Sequence, residues 1–142
     1  MGSRREAREL ALQALYQLDV AGEGDPGMAL FWSYFDAERE VQAFARELVE
    51  GVAAHRERID ALIAASAEHW RLPRLSRVDL SLLRLATFEL LARPDIPPSV
   101  AIDEAIEIAR RFGSEDSPAF VNGVLDHIAQ VLGVKAKPER PE

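Results

Sequence analysis

The chain has 142 residues and a formal net charge of −7, which is enough chain for one domain around a single core. Apolar residues make up 48% of it and charged residues 29%, as in ordinary globular proteins, and the absence of cysteine excludes disulfides, thiol catalysis and zinc–thiolate sites. The negative charge argues against indiscriminate polyanion binding, so a nucleic-acid site would have to be a local basic patch.

Apolar residues recur at helical spacing almost everywhere, and no run of alternating β-branched residues predicts a strand. The fold class is therefore predicted to be all-α. A first helix is predicted over 4–20, with Ser3 as its N-cap and Glu6 completing a capping box. After a glycine-rich break, Asp36 is predicted to cap a longer helix with a bend near Gly51. No apolar run reaches roughly 18 residues and no signal-peptide core is present, so we expect a cytoplasmic protein.

The second half of the chain begins with a helix that is apolar nearly all the way round. Ser76, followed three residues later by Asp79, marks its start, and the helix continues to about residue 91. A helix with this pattern is usually central, although its surface also suits a partner protein. Short loops after it predict antiparallel neighbours.

Two further helices meet near the C-terminus. The first carries Phe112 in its predicted core stripe and ends at Gly113, which is predicted to be a left-handed cap. Ser117 is predicted to be the N-cap of the last helix, with Pro118 at its first position. The polar tail 135–142 is predicted to be flexible.

The residue types used in catalysis and metal binding do not form recognisable sites. The sequence lacks the glycine-rich and Gly-x-Ser-x-Gly motifs of nucleotide-binding proteins and hydrolases. Its histidines are not paired at metal-ligand spacing, and an acidic cluster lies mostly on the solvent side of its helix. These residues are His55, His69, His127, Asp103, Glu104 and Glu107.

Arginines open the first helix, at the end where the helix dipole favours anions. Arg4 and Arg8 also form a like-charge pair at i, i+4, which costs about 0.2–0.5 kcal/mol. A bound phosphate would reverse the sign of that interaction, so the arginines are candidates for an anion site. The alternative is an ordinary surface in which Glu9 pairs with Arg5.

A second candidate anion site is the segment "RRFGSEDSPAFVNGVLD", in which one helix ends and another begins within a few residues. Phe120 falls at the edge of the inward stripe, where a partly exposed ring could stack on an RNA base. The alternative for this ring is core packing. Asp116 could accept hydrogen bonds from a base or simply cap the helix.

The stretches "RREARELALQALYQLD" and "VAIDEAIEIARRFGSEDSPAFVNGVLDHIA" resemble the NusB family of bacterial transcription antitermination factors. The resemblance covers nearly the whole chain. It implies about seven helices in two small packed bundles, formed by a single domain over 1–134. It also implies that the protein is not an enzyme and needs no cofactor.

The resemblance further implies binding to the boxA RNA of ribosomal RNA transcripts, as a heterodimer with the ribosomal protein NusE. NusA, NusG and RNA polymerase complete the antitermination complex, and a homodimer is an option for the free state. The RNA contacts implied by similarity, with Phe120 stacking on a base, are Arg4, Arg5, Arg8, Gln13, Ser114, Asp116, Ser117 and Phe120. The implied NusE contacts are Tyr16, Asp79 and Leu83.

Two features depart from the family pattern. Ala119 stands where many relatives carry lysine, and each lost phosphate contact lowers the salt dependence of single-strand binding by roughly 0.7 in slope. The acidic stretch 19–25 could weaken RNA binding by repulsion. The alternatives are a protein-only helical scaffold or self-associating dimer without RNA binding, and an accessory domain of an RNA-modifying enzyme.

Overall fold

Six α-helices and no β-strand occupy the residues that the computed structural model describes, which are 3–21, 31–32, 38–67 and 75–134. The predicted all-α class is confirmed, with a helix count close to the predicted seven. The helices are α1 (Ser3–Ala21), α2 (Arg39–Ala54), α3 (Arg56–Ser66), α4 (Arg77–Ala92), α5 (Pro98–Phe112) and α6 (Ser117–Leu132).

Helix α4 is the centre of the fold and contacts each of the other five helices. Ser76 caps it as predicted, because its Oγ accepts a hydrogen bond from the Asp79 N–H at 3.0 Å. All residues from 80 to 90 are buried. Burial of a leucine side chain contributes about 1.5–3 kcal/mol, so α4 is the element on which the others assemble. A few of its buried residues are polar or charged, namely Ser81, Arg84, Thr87 and Glu89.

The predicted bend in the long second helix lies four residues later than expected. Helix α2 ends at Ala54 and α3 begins at Arg56, so the break is at His55 rather than at Gly51. Gly51 instead allows close packing, because a Cβ there would overlap the Phe88 ring of α4.

Several predictions fall on residues outside the described ranges, so the structure does not address them. They concern the helix start at Asp36, the residue His69 and the tail 135–142. Within the ranges that are described, no helix is long and apolar enough to cross a membrane. The same residues contain no cluster of three or more His, Asp or Glu side chains that could hold a metal ion.

Candidate nucleic-acid interface

The outer edge of α1 presents arginines whose partners lie on another helix. The Arg5 guanidinium donates two hydrogen bonds to Glu104 of α5, Nε to Oε1 at 2.8 Å and Nη2 to Oε2 at 2.7 Å. These bonds lower the pKa of the Glu104 carboxyl, so it is firmly ionised at neutral pH. Glu9 pairs with Arg111 at 2.6 Å. The predicted pair between Arg5 and Glu9 is therefore wrong, since each residue is paired with α5 instead.

The inner edge of α1 carries Arg8, which is 3% exposed. Its Nε lies 2.9 Å from Oε2 and its Nη2 2.8 Å from Oε1 of Glu89 on α4. Burial raises the pKa of the Glu89 carboxyl, and the hydrogen bonds from Arg8 oppose that rise. Arg8 is therefore held by a carboxylate of this chain, with little of its side chain at the surface, and its predicted contact with RNA stays a prediction.

The ring of Phe44 on α2 packs against the basic end of α1. Three guanidiniums lie against its half-buried ring, with their Cζ atoms 4.4 Å (Arg4), 5.8 Å (Arg8) and 5.3 Å (Arg93) from the ring centroid. Such cation–π contacts stabilise each cation by about 0.5–1 kcal/mol at exposed sites. The ring partly offsets the repulsion between Arg4 and Arg8 that the sequence predicts.

A groove opens beside the start of α1, between that helix and the beginning of α5. Its walls combine cations, carboxylates and apolar residues, so the basic patch is local, as the net charge of the chain requires. The lining residues are Ser3, Arg4, Arg5, Arg8, Asp95, Ile96, Pro97, Val100 and Glu104.

The corner between α5 and α6 is shaped by Ser117, which is 1% exposed. Its Oγ accepts a hydrogen bond from the Ser114 N–H at 3.0 Å and lies 3.2 Å from the Ser114 Oγ. Gly113 has extended backbone angles, so the predicted left-handed cap is wrong. Glycine is needed because a Cβ there would lie 2.5 Å from the Ser117 Oγ.

The start of α6 also differs from the prediction. Asp116 occupies the N-cap position and makes no side-chain capping bond, while Ser117 is the first helical residue. Ser117 is buried with its Oγ engaged by Ser114, and its predicted contact with RNA stays a prediction. Ser114 and Asp116 are exposed, as their predicted contacts require.

The two phenylalanines near this corner differ in burial from what the sequence predicts for one of them. Phe120 is half-buried and packs against the core. Phe112, predicted to be a core residue, is 39% exposed. The Cζ atom of Arg111 lies 5.3 Å from the Phe112 ring centroid.

The two predicted RNA-binding segments are linked by ion pairs. The Arg5–Glu104 pair joins the first turn of α1 to the middle of α5, and the Glu9–Arg111 pair joins the next turn to the end of α5. The corner 113–116 follows directly. The exposed edge of α1 and the α5–α6 corner therefore lie along one side of the protein.

The NusB family model matches residues 5–130 of the chain. The chain belongs to the NusB family. It is 54% identical to the transcription antitermination protein NusB of Anaeromyxobacter dehalogenans over 143 residues, which cover 99% of this chain and 100% of that protein.

Solved structures of NusB proteins share the fold. The chain is similar to NusB of T. maritima, with a TM-score of 0.81 and 42% identity over 89% of this chain and 90% of the other. It is also similar to a chain in a crystal structure of the antitermination factors NusB and NusE in complex with dsRNA. That match has a TM-score of 0.81 and 28% identity, and covers 92% of this chain and 98% of the other.

The residues that the NusB resemblance assigns to NusE have different surroundings. Tyr16 is 43% exposed, which suits a contact surface. Asp79 is half-buried, and its Oδ1 is buried without a hydrogen-bond partner. Leu83 is 0% exposed. Leu83 therefore belongs to the core of α4, and its side chain does not reach the surface of the free chain.

An ion pair near these residues joins the two helices that carry Tyr16 and Asp79. The Arg77 Nη1 lies 3.2 Å from the backbone oxygen of Asp19 and 3.4 Å from its Oδ2. The C-terminal end of α1 and the start of α4 therefore form one continuous surface.

Sequence reasoning missed the partners that α5 supplies to Arg5 and Glu9, which are Glu104 and Arg111, and the exposure of Phe112. One signal was available, because Glu104 and Arg111 are seven residues apart and share a helix face. Arg5 and Glu9, four apart, present the complementary order of charges on α1. The exposure of Phe112 had no such signal, because its spacing fits the apolar stripe.

Proposed function

We propose that this chain is a transcription antitermination factor that binds the boxA RNA of ribosomal RNA transcripts together with the ribosomal protein NusE. In this role it helps RNA polymerase, with NusA and NusG, to resist termination in the cytoplasm. The family membership supports this function, as does the structural similarity to a complex of NusB, NusE and dsRNA. Residues 1–134 act as one binding domain, without catalysis.

The observation that carries the proposal is the shared side formed by α1 and the α5–α6 corner. The Glu9–Arg111 pair, at 2.6 Å, brings the exposed edge of α1 next to the segment that contains Ser114 and Asp116. A single strand crossing this side would meet guanidiniums for its phosphates and polar groups for its bases. The proposed contacts are Arg4, Arg5, Arg8, Gln13, Ser114, Asp116, Ser117 and Phe120. Arg8 and Ser117 are buried in the free chain.

The arginines on this side already hold carboxylates, so RNA binding involves an exchange or sharing of partners. The Arg5 side chain is 37% exposed and that of Arg111 is 63% exposed. Exposed ion pairs contribute little to stability. A phosphate can therefore engage the outer edge of either guanidinium without a large loss of folding free energy.

The proposed NusE surface lies at the opposite end of α1. Tyr16 and Val20 are one helical turn apart and both are exposed, and Asp79 lies on the adjoining helix. An aromatic ring with a polar tip is common at protein interfaces. RNA and NusE therefore bind to separate parts of the chain.

The test is fluorescence anisotropy with a labelled boxA-like single-stranded RNA, at two salt concentrations, with and without purified NusE. We expect preferential binding over a scrambled RNA, weakening with salt and tightening with NusE. Equal binding of the boxA-like and scrambled RNAs in every condition would contradict the proposal.

One observation favours a second candidate, a helical scaffold that binds only protein. Arg5 and Arg111 are each neutralised by a carboxylate of this chain, and so is Arg110, which pairs with Glu107. The same titrations decide between the two functions. Binding of NusE with no RNA binding in any condition would identify the scaffold, and concentration-dependent sedimentation would reveal a self-associating dimer.

A further inference from the structure

Phe112 is an aromatic residue at the surface in a place that packing does not explain. Its spacing from the apolar residues of α5 is that of a core residue, yet 39% of it is exposed. Tyr16 and Phe112 are the exposed tyrosine and phenylalanine of the described ranges, and they lie on different helices. Exposed apolar residues scattered singly are common, but Phe112 has a cation and a carboxylate beside it.

Arg111 lies against the ring and is paired with a carboxylate of α1. Its Cζ lies 5.3 Å from the ring centroid, within the range of a cation–π contact. The Glu9 carboxylate of α1 holds the same guanidinium at 2.6 Å. The ring and the cation therefore form one preorganised unit, hereafter the Phe112 platform, which consists of Phe112, Arg111 and Glu9.

The platform stands directly beside the proposed RNA contacts. Gly113 follows Phe112 in extended conformation, and the exposed residues Ser114 and Asp116 come next. Phe120, the ring assigned to stacking by the family resemblance, is more buried and packs against the core. Phe112 is therefore the more exposed of the two rings at this corner.

We infer that the Phe112 platform stacks a base of single-stranded RNA, with Arg111 contributing a phosphate contact or a second planar surface. Aromatic rings and guanidinium planes are the groups on which unstacked RNA bases lie. The platform lies between the α1 arginines and the start of α6, so a bound base there would lie between the two proposed contact segments. The inference rests on the proposed RNA-binding function and names a further contact within it.

The test uses the full chain and a boxA-like RNA in which each adenine in turn is replaced by 2-aminopurine. Stacking on the platform is expected to quench the fluorescence of one position. Phe112→Ala is expected to weaken RNA binding on the order of 10-fold and to abolish that quenching. Phe112→Leu, which keeps apolar surface but has no π-face, is expected to weaken binding similarly, whereas Phe112→Trp restores both signals.

Val131→Ala is the matched control, because Val131 is an exposed apolar residue of α6 and is 56% exposed. We expect it to bind as the wild type does, and thermal unfolding verifies that every variant is folded. If Phe112→Ala or Phe112→Leu bound RNA like the wild type, the inference would be overturned while the proposed function stood. If the wild-type protein bound no RNA with or without NusE, both would be overturned.

Discussion

Two arginines three residues apart on α1 each hold a glutamate from another helix, and the two pairs have opposite surroundings. The Arg5–Glu104 pair has side chains 37% and 19% exposed, whereas those of the Arg8–Glu89 pair are 4% and 1% exposed. Hydrogen bonds from Arg5 lower the pKa of Glu104, whereas burial raises that of Glu89. The same residue types therefore give an accessible cation at one edge of α1 and an internal crosslink at the other.

Some arginines at the start of α1 hold the helix in the fold, and others are available to a ligand. Arg8 ties α1 to the central helix α4, and Phe44 lies against both Arg4 and Arg8 from α2. The inner edge of the helix thus determines how the outer edge is presented to a ligand. The buried Arg8–Glu89 pair therefore helps to position the exposed arginines of α1.

Removing the buried acceptor gives the largest expected effect. We predict that Glu89→Ala lowers the free energy of unfolding by about 3–5 kcal/mol. It removes the carboxylate that hydrogen-bonds the buried Arg8 guanidinium and leaves it only the longer contact with Glu104, at 3.8 Å. Urea denaturation monitored by circular dichroism measures the change.

Glu104→Ala, at the exposed pair, is the matched control and should shift the urea midpoint far less. The double variant Arg8→Met with Glu89→Met should recover most of the lost stability, since apolar residues of similar volume can replace a buried pair. A Glu89→Ala protein as stable as Glu104→Ala would refute the structural role of the buried pair.

The residues proposed to contact NusE also include a buried one, Leu83, and an exposed one, Tyr16. We predict that Leu83→Ala lowers the free energy of unfolding by about 2–5 kcal/mol, because it opens a cavity in the core of α4. The folded fraction should still bind NusE with wild-type affinity. Tyr16→Ala should weaken NusE binding and leave the free energy of unfolding nearly unchanged. Calorimetric titration with NusE measures the affinity of both variants, and urea denaturation measures their stability.

The fold could be predicted from the sequence to a large extent because it depends on periodicity. The apolar pattern of residues 78–91 identified the central helix, and the Ser76 cap depends on a local hydrogen bond. The break at His55 could not be placed this way. The bend was predicted at Gly51 because glycine weakens a helix. Glycine is needed there for a different reason, since a Cβ would overlap the ring of Phe88, which is distant in sequence.

The site was predicted less completely, because exposure depends on tertiary packing. The arginines and the α5–α6 corner were found as segments, and the structure places them on one side. The burial of individual residues was not predicted, since Arg8 and Ser117 are buried and Phe112 is exposed. Helical spacing cannot assign these positions when they lie at the border of the apolar stripe or at a helix end.

Exposed arginines should affect RNA binding without affecting folding. We predict that Arg5→Ala leaves the urea midpoint unchanged and lowers the slope of log affinity against log salt by about 0.7, the value for one phosphate contact on a single strand. Anisotropy titrations at several salt concentrations measure the slope. Arg58→Ala, an exposed arginine on α3, is the matched control and should keep the wild-type slope. An unchanged slope for Arg5→Ala would place the phosphate contact elsewhere.

The order in which Glu89 and Glu104 titrate tests the difference between the buried and the exposed ion pair in the wild-type protein. The lowered pKa of Glu104 means that its pair stabilises the fold fully above the ordinary glutamate pKa and loses that contribution as the pH falls through the folded value. The raised pKa of Glu89 has the opposite sign, so its contribution is present at low pH and is lost as the pH rises through the folded value. We therefore expect Glu89 to take up its proton before Glu104 as the pH is lowered, as measured by carboxyl ¹³C NMR shifts.

Replacing either arginine should change the pKa of the glutamate that it holds. Arg5→Met should move the pKa of Glu104 upward toward its ordinary value, because the hydrogen bond that lowers it is lost. Arg8→Met should raise the pKa of Glu89 further, because burial then acts without the opposing hydrogen bonds. If Glu89 instead titrated below Glu104 in the wild-type protein, hydrogen bonding would outweigh burial at the inner edge. The two pairs would then differ in accessibility but not in the direction of their electrostatics.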